Sequence, residues 1–231
     1  MLNLKNITKT YKDKKIFQNA TFEAQLGEIV LLTGKSGIGK STLLDIIAGI
    51  KEYDSGTYYY QGIEMLPKDD EKMSAFRNEY IGYILQDFAL IEDYTVMENV
   101  LLPTLYNNKI DKKISEKKAR ALAERFDLIG LFDKKVKHLS GGQKQRVAII
   151  RSLILDPLII LADEPTTNLD NDNFEFIMQL FKELRNAEKT IVIATHDHRI
   201  HEIADVVYQV ENYKLIKRAS VRNITKRENS E

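Results

Sequence analysis

One stretch of this chain constrains its fold more than any other. Residues 34–41 read GKSGIGKS and fit the pattern G-x-x-x-x-G-K-[S/T] at every fixed position. An apolar run at 28–33 precedes the stretch, and an apolar run with helical character at 43–47 follows it. A glycine-rich loop between a buried strand and a helix can curl so that successive backbone N–H groups point at phosphate oxygens. A turn without any ligand is the alternative interpretation, and the two flanks favour a phosphate site.

The same loop carries side chains suited to a nucleotide and a metal ion. The helix that follows brings the positive end of its dipole to the phosphates. We expect Lys40 to contact the β- and γ-phosphates and Ser41 to bind Mg²⁺. The residues expected to bind the nucleotide here are Gly34, Lys35, Ser36, Gly37, Ile38, Gly39, Lys40, Ser41 and Thr42.

Short apolar runs alternate with helical patterns along the chain. This alternation is typical of an α/β fold with a mainly parallel core sheet. Each of the predicted core strands is rich in Ile, Val and Leu, as expected for strands that are buried on both faces. These strands are predicted at 28–33, 81–85, 158–163 and 190–195.

Two regions depart from the alternation. Residues 11–22 and 56–60 are more typical of antiparallel hairpins, which predicts an N-terminal antiparallel β subdomain. Between 88 and 138 the strand signal disappears and helical patterns dominate, which predicts a helical subdomain inserted into a P-loop NTPase core. We therefore expect one domain over 1–231, with the core at 1–87 and 141–218, the helical subdomain at 88–140 and a polar tail at 219–231.

A pair of acidic residues follows the apolar run that ends at 163. A carboxylate at the end of a buried strand is costly unless it has a task there. We expect Asp163 to hold the Mg²⁺ shell and Glu164 to polarise the attacking water as the general base. An acidic helix cap is the other possibility, and Pro165 fits a chain that is leaving the strand.

Residues 139–143 read LSGGQ and run into the apolar helical pattern VAII. A hydroxyl and two glycines at the start of a helix form a second potential anion site. Because one nucleotide does not need two phosphate cradles in one chain, we expect this segment to close over the nucleotide of a second copy in a head-to-tail homodimer. The residues expected to bind in this way are Ser140, Gly141, Gly142 and Gln143.

These three motifs, in this order, resemble the Walker A, signature and Walker B sequences of the ABC ATPases, over residues 2–215. The resemblance implies ATP hydrolysis with Mg²⁺ and a second copy as partner. It implies that Gln86 senses Mg²⁺ and the attacking water and links to a membrane permease. It also implies that Tyr11 stacks on adenine and that His196 contacts the γ-phosphate. Asp170 is implied to lie at the dimer seam.

A closer resemblance is to the MacB/LolD-like branch of the ABC ATPases. Members of that branch drive permeases that handle peptides, antibiotics or lipoproteins. The chain departs from the branch at Lys35, Thr167 and Ile150, and no departure removes a catalytic group. The segments that carry the resemblance are RNEYIG at 77–82, YTVMENV at 94–100, LP at 102–103, ADEPT at 162–166 and NLD at 168–170.

Composition limits the partners and the location. Lys plus Arg and Asp plus Glu both number 34, and this balance argues against a surface built for nucleic acid. The chain has no cysteine, which excludes disulfides and cysteine-ligated metal sites. The N-terminus lacks the apolar core of a signal peptide, and the apolar run at 158–162 is too short to cross a bilayer. We therefore expect a peripheral protein at the cytoplasmic face of the cell membrane, bound through an integral membrane permease.

The leading interpretation is the ATP-hydrolysing subunit of an ABC transporter that powers export or handling of peptides, antibiotics or lipoproteins. One alternative is a soluble ABC ATPase that acts on ribosomes or DNA. Such proteins usually carry two cassettes or a long coiled coil, and neither is visible here. A second alternative is an ABC subunit in signalling or division, which would share every catalytic residue.

The segment at 88–106 bears on coupling to a permease. It carries more apolar side chains than a short helical subdomain is expected to bury. We expect a partly exposed groove near Gln86, with Leu90 on its surface, that accepts a short permease helix. The alternative is that these side chains form the core of the subdomain. They are Leu90, Ile91, Tyr94, Val96, Val100, Leu101, Leu102, Leu105 and Tyr106.

Overall fold

A computed structural model describes residues 1–107, 111–167 and 169–218, which form ten strands and six α-helices. The strands are β1 (Leu2–Tyr11), β2 (Lys14–Ala24), β3 (Ile29–Thr33), β4 (Ser55–Tyr60), β5 (Ile63–Glu64), β6 (Ile81–Ile84), β7 (Ile159–Asp163), β8 (Thr190–Ala194), β9 (Val206–Glu211) and β10 (Lys214–Arg218). The helices are α1 (Lys40–Ile47), α2 (Asp70–Tyr80), α3 (Val96–Leu101), α4 (Lys112–Arg125), α5 (Gly141–Leu153) and α6 (Asn171–Asn186). The predicted tail at 219–231 and Asn168 of the NLD segment lie outside the described residues.

The core sheet has the strand order β10-β9-β3-β8-β7-β6. β3 pairs in parallel with β8 and β9, and β7 pairs in parallel with β6 and β8. β10 runs antiparallel to β9. The predicted α/β fold with a mainly parallel core sheet is confirmed, and all four predicted core strands are present.

A second sheet, with the order β2-β1-β4-β5, is antiparallel. β1 and β2 form a hairpin that is longer than the predicted stretch at 11–22. Leu2 and Leu4 of β1 are fully buried, whereas Lys5 is exposed, so β1 presents an inner and an outer face. That period of two is the strand signal that the sequence carries before residue 11.

Both faces of the core sheet are covered, which explains the continuous apolar runs of its strands. In β3, Ile29 and Leu31 pack into a cluster with α3, α4, α5 and α6. Val30 and Leu32 pack on the other face, with α1 and the antiparallel sheet. Across the described residues, no helix combines the length and the apolar character that crossing a bilayer requires.

The helical region between β6 and β7 packs on one face of the core sheet. Val96 and Val100 of α3 and Ala119 and Ala123 of α4 are fully buried there. The inserted helices are as predicted, whereas the exact boundaries at 88 and 140 stay a prediction.

The expectation that Leu90 is exposed is wrong. Leu90 is half-buried and packs against the helix-side core. The reason lies in Asn99, a fully buried residue whose Oδ1 accepts from the N–H of Ile91 at 2.8 Å and whose Nδ2 donates to the Ile91 carbonyl at 3.0 Å. These bonds fold the chain back onto α3. The exposed apolar side chains of this region are Ile91, Tyr94, Leu105 and Tyr106.

Candidate functional site

A cavity of about 600 Å³ opens where the carboxyl ends of the parallel strands meet. In open α/β sheets this edge is where ligands bind, because the loops that follow neighbouring strands converge there. The cavity collects side chains from the ends of β3, β6, β7 and β8 and from the β1–β2 hairpin. Its lining residues are Tyr11, Lys14, Ile16, Ser36, Gly37, Gly39, Lys40, Ser41, Thr42, Gln86, Asp163, Glu164, Thr167 and His196.

Two glycines of the 34–41 loop have no substitute. Gly39 has a φ of 121°, and a Cβ there would stand 2.6 Å from a methyl carbon of Ile16. Gly34 has a φ of 140°, and a Cβ there would stand 2.9 Å from the carbonyl oxygen of Val210. Both the left-handed backbone and the close approach therefore require glycine at these positions.

Lys40 begins α1 and is buried beneath the loop. Its Nζ donates to the carbonyl oxygens of Gly34 at 3.0 Å and Lys35 at 3.3 Å, so the ammonium group is held inside the curl. The N–H of Ile38 donates to the Lys35 carbonyl at 3.4 Å, and the Ile38 side chain packs on the core instead of lining the cavity. Its predicted role in nucleotide binding stays a prediction.

Asp163 is the last residue of β7 and is buried. Burial raises the pKa of its carboxyl, and the carboxylates of Glu164 and Asp45 add to the rise. A hydrogen bond from Ser41 and the charge of Lys40 act in the opposite direction on that pKa. A carboxylate in this position is stabilised by a bound cation.

Glu164 is held in an unusual backbone conformation. Its φ is 49°, while its N–H extends the β-ladder by donating to the Ala194 carbonyl at 2.8 Å. The hydroxyl of Thr195 donates to its carboxylate at 3.0 Å, and His196 Nδ1 lies 3.0 Å from a carboxylate oxygen. The predicted base and the predicted γ-phosphate contact are therefore neighbours in the same cavity. Thr195 was not predicted, because the sequence gives no signal that it faces Glu164.

Gln86 lies in the loop after β6 and lines the same cavity. The strand that carries it is tied to α1, because the hydroxyl of Tyr83 donates to Asp45 Oδ1 at 2.9 Å. Burial raises the pKa of Tyr83 far above its usual range, and the nearby Asp45 carboxylate adds to the rise. Lys51 Nζ completes the cluster 2.8 Å from Asp45 Oδ2. The sequence carries no signal of this link, since only the fold brings Tyr83 beside α1.

Tyr11 lies at the mouth of the cavity with an exposed ring. The Lys9 and Lys51 ammonium groups lie 4.8 and 5.8 Å from its ring centroid. Lys14 and Ile16, which no motif in the sequence marks, continue the wall beside it. An aromatic face beside an aliphatic side chain is suited to a nucleobase.

The donor set fits Mg²⁺ better than a softer metal. The Ser41 hydroxyl, the Asp163 carboxylate and the Gln86 amide line one cavity, and all three offer oxygen atoms. No cluster of three or more His, Asp or Glu side chains that could hold a metal occurs within 1–107, 111–167 and 169–218. A site with one carboxylate is typical of Mg²⁺ that takes its remaining ligands from phosphates and water.

The predicted residues of the LSGGQ segment do not line this cavity. Ser140 and Gln143 form a capping box at the start of α5, in which the Gln143 N–H donates to Ser140 Oγ at 3.3 Å and the Ser140 N–H donates to Gln143 Oε1 at 3.0 Å. The Ser140 hydroxyl keeps its own proton for donation. Asp170 likewise caps α6 by accepting from the Asn173 N–H at 2.9 Å.

The profile of a protein family described as "ABC transporter" matches residues 17–167. The chain belongs to the ABC transporter family. Its curated relatives include YvrO of Bacillus subtilis (strain 168), an uncharacterized ABC transporter ATP-binding protein that is 42% identical over 94% of this chain and 96% of that protein. The lipoprotein-releasing system ATP-binding protein LolD of Cytophaga hutchinsonii is 40% identical over 89% of this chain and 94% of that protein.

Among solved structures, the chain is similar to the dimeric, post-hydrolysis state of the ATP-binding cassette MJ0796 bound to ADP and Pi. The TM-score is 0.88 at 35% identity, over 95% of this chain and 98% of that one. The expected membership of the ABC ATPases, the resemblance to the MacB/LolD-like branch and the ATPase activity are confirmed. The matches support a transporter ATPase and not an ATPase acting on ribosomes or DNA.

Proposed function

We propose that this ABC ATPase works as a head-to-tail dimer that hydrolyses Mg²⁺-ATP and drives a separate integral membrane permease from the cytoplasmic side. The observation that carries the proposal is the division of the three motifs. Two of them meet in one cavity, whereas the LSGGQ segment of the same chain stays outside it. A second copy supplies that missing wall if the two chains face each other.

Within one chain, the residues divide the chemistry among them. Lys40 and the backbone N–H groups of the loop hold the phosphates, and Ser41, Asp163 and Gln86 would hold Mg²⁺, which supplies charge neutralisation at the phosphates. Glu164 accepts a proton from the attacking water. His196, hydrogen-bonded to Glu164, is positioned to contact the γ-phosphate.

Dimer closure would bring the N-terminus of α5 onto the γ-phosphate of the partner. Its free N–H groups, the positive end of the helix dipole and the Ser140 hydroxyl all suit an anion. Gly141 and Gly142 leave open space, since a Cβ at either position would meet nothing within 4 Å. The dimeric form of MJ0796 supports this arrangement. Hydrolysis and phosphate release would then reopen the dimer.

A permease would dock beside the turn that carries Gln86. A groove of about 370 Å³ lies between α2, β6 and the 3₁₀ helix Leu102–Tyr106. Asn78 Nδ2 donates to the Pro103 carbonyl at 3.0 Å and so fixes the rim. Tyr106, which is 80% exposed, stands at this rim and offers a large apolar contact to a permease helix. By analogy with the lipoprotein-releasing LolD and the macrolide exporter MacB, the cargo class is a lipoprotein or an antibiotic.

Glu164→Gln tests the motor. The amide keeps the shape of the side chain but cannot accept the proton, so ATP binding survives while hydrolysis falls by about 10²- to 10⁴-fold. The closed dimer is then not relieved, and light scattering in Mg²⁺-ATP should give twice the monomer mass. A protein that stays monomeric with ATP bound would contradict the proposed dimer.

Tyr106→Asp tests the docking surface, in place of the partly buried Leu90. We expect the isolated subunit to keep its ATPase activity and to lose co-purification with the co-expressed permease. Ile114→Asp on α4 is the matched control, because Ile114 is also exposed, at 64%, but lies away from the groove lining. Equal retention of the permease by both variants would argue against this surface.

A further inference from the structure

The turn that follows Gln86 contains two successive non-glycine residues in the left-handed region. Phe88 has a φ of 63° and Ala89 a φ of 43°. The N–H of Phe88 closes the turn by donating to the Leu85 carbonyl at 3.0 Å. L-residues disfavour this backbone, so adjacent residues persist in it only when the surroundings hold them.

The holding group is the guanidinium of Arg151, near the end of α5. Its Nη2 donates to the Phe88 carbonyl at 2.6 Å and its Nη1 donates to the Ala89 carbonyl at 2.5 Å. Hydrogen bonds from a charged donor are short and strong, and the planar fork of arginine fits two neighbouring acceptors. Burial lowers the pKa of Arg151, and the Asp87 carboxylate in the same turn opposes that fall.

We propose that Arg151 is a positioning residue for ATP hydrolysis, which holds the strained turn at Phe88 and Ala89 and thereby aims Gln86 into the nucleotide cavity. This inference rests on the proposed role of Gln86. On the other side of Gln86, the bond from Tyr83 to Asp45 already fixes β6 to α1. The clamp formed by the two hydrogen bonds from Arg151 fixes the residues after Gln86, which belong to no strand.

The clamp also joins two sites that are otherwise separate. Arg151 and Gly142 lie on the same helix, α5, and Gln86 lines the cavity of the same chain. A movement of α5 when the partner's nucleotide binds would pass through the guanidinium to the turn.

Arg151→Ala should lower kcat about 10- to 100-fold, the scale of misplacing a reacting group by about an ångström. The affinity for a fluorescent ATP analogue should stay close to wild type, because the residues that hold the phosphates are unchanged. Arg151→Lys should lie between the two, since a lysine cannot bridge both carbonyls. Arg120→Ala is the control and should leave kcat unchanged. It removes an arginine of α4 whose guanidinium lies over the Phe132 ring.

Ala89→Gly supplies the decisive readout. Glycine adopts a positive φ without cost, so this change should be silent in the wild-type chain and should restore most of the lost kcat in Arg151→Ala and Arg151→Lys. A kcat defect that Ala89→Gly does not relieve, or a fall in melting temperature without a fall in kcat, would overturn the inference. Gln86→Ala separates the two proposals. If it lowers kcat and the Arg151 variants do not, the clamp alone fails. If it leaves kcat intact, the role of Gln86 fails and the clamp with it.

Discussion

The nucleotide cavity and the start of α5 are both rich in glycine and both lie at helix N-termini, yet their polar side chains have different surroundings. Around the cavity, the ends of four strands of one chain bring Lys40, Gln86, Asp163, Glu164 and His196 to a shared space. At the start of α5, the polar side chains of Ser140 and Gln143 bond to each other's backbone. The first region therefore gathers its phosphate-binding and base residues within one chain, whereas in the proposed dimer the second region contacts the nucleotide of another copy.

Of the two substitutions that test this difference, Lys40→Ala should have the larger effect, because it should abolish function in the nucleotide cavity itself. The ammonium group makes hydrogen bonds that are worth about 1.5–3 kcal/mol each when the partner is charged, so ATP affinity should fall about 10- to 100-fold. ATPase activity should fall to background. Titration of the monomer with a fluorescent ATP analogue and a phosphate-release assay check both results. Normal turnover in the purified variant would contradict the assignment of the 34–41 loop to the nucleotide site.

Gly142→Glu should affect hydrolysis alone. The single chain has room for the side chain, so the fold and the binding of ATP to the monomer should be retained. In a closed dimer the new carboxylate would face the partner's phosphates, and hydrolysis should fall to background. Gly130→Glu is the matched control, because Gly130 also has open space and lies outside both regions. Loss of ATP binding by the Gly142→Glu monomer would contradict the separation of the two regions, because the α5 region would then belong to the cavity of its own chain.

Sequence patterns were sufficient for the parts of this molecule that are local. The loop at 34–41 and the apolar runs before Gln86, Glu164 and His196 predict strand ends, and parallel strand ends meet at one edge whatever the rest of the fold does. Contacts across the fold had no such signal. The links from Tyr83 to Asp45 and from Arg151 to the turn after Gln86 depend on how α1 and α5 pack on the sheet.

Leu90 illustrates the same limit on a smaller scale. Its apolar character fitted both a docking surface and a core, and the sequence offered no way to choose between them. The choice is made by Asn99, a buried amide that bonds both backbone groups of Ile91 and draws the preceding residue against α3. Asn99 is visible in the sequence as a polar residue in an apolar stretch, but only its hydrogen-bond partners in the fold show how it places Leu90.

The central claim, that each nucleotide lies between the loop of one chain and the α5 terminus of another, can be measured directly because the chain has no cysteine. Two single-cysteine proteins, Ser36→Cys and Gly141→Cys, each in the Glu164→Gln background, are mixed with Mg²⁺-ATP and a short thiol cross-linker. Both positions are exposed in the single chain. We predict an ATP-dependent cross-link between the two different proteins and little within either protein alone. A dimer seen by light scattering that cross-links only like with like, or not at all, would contradict the account.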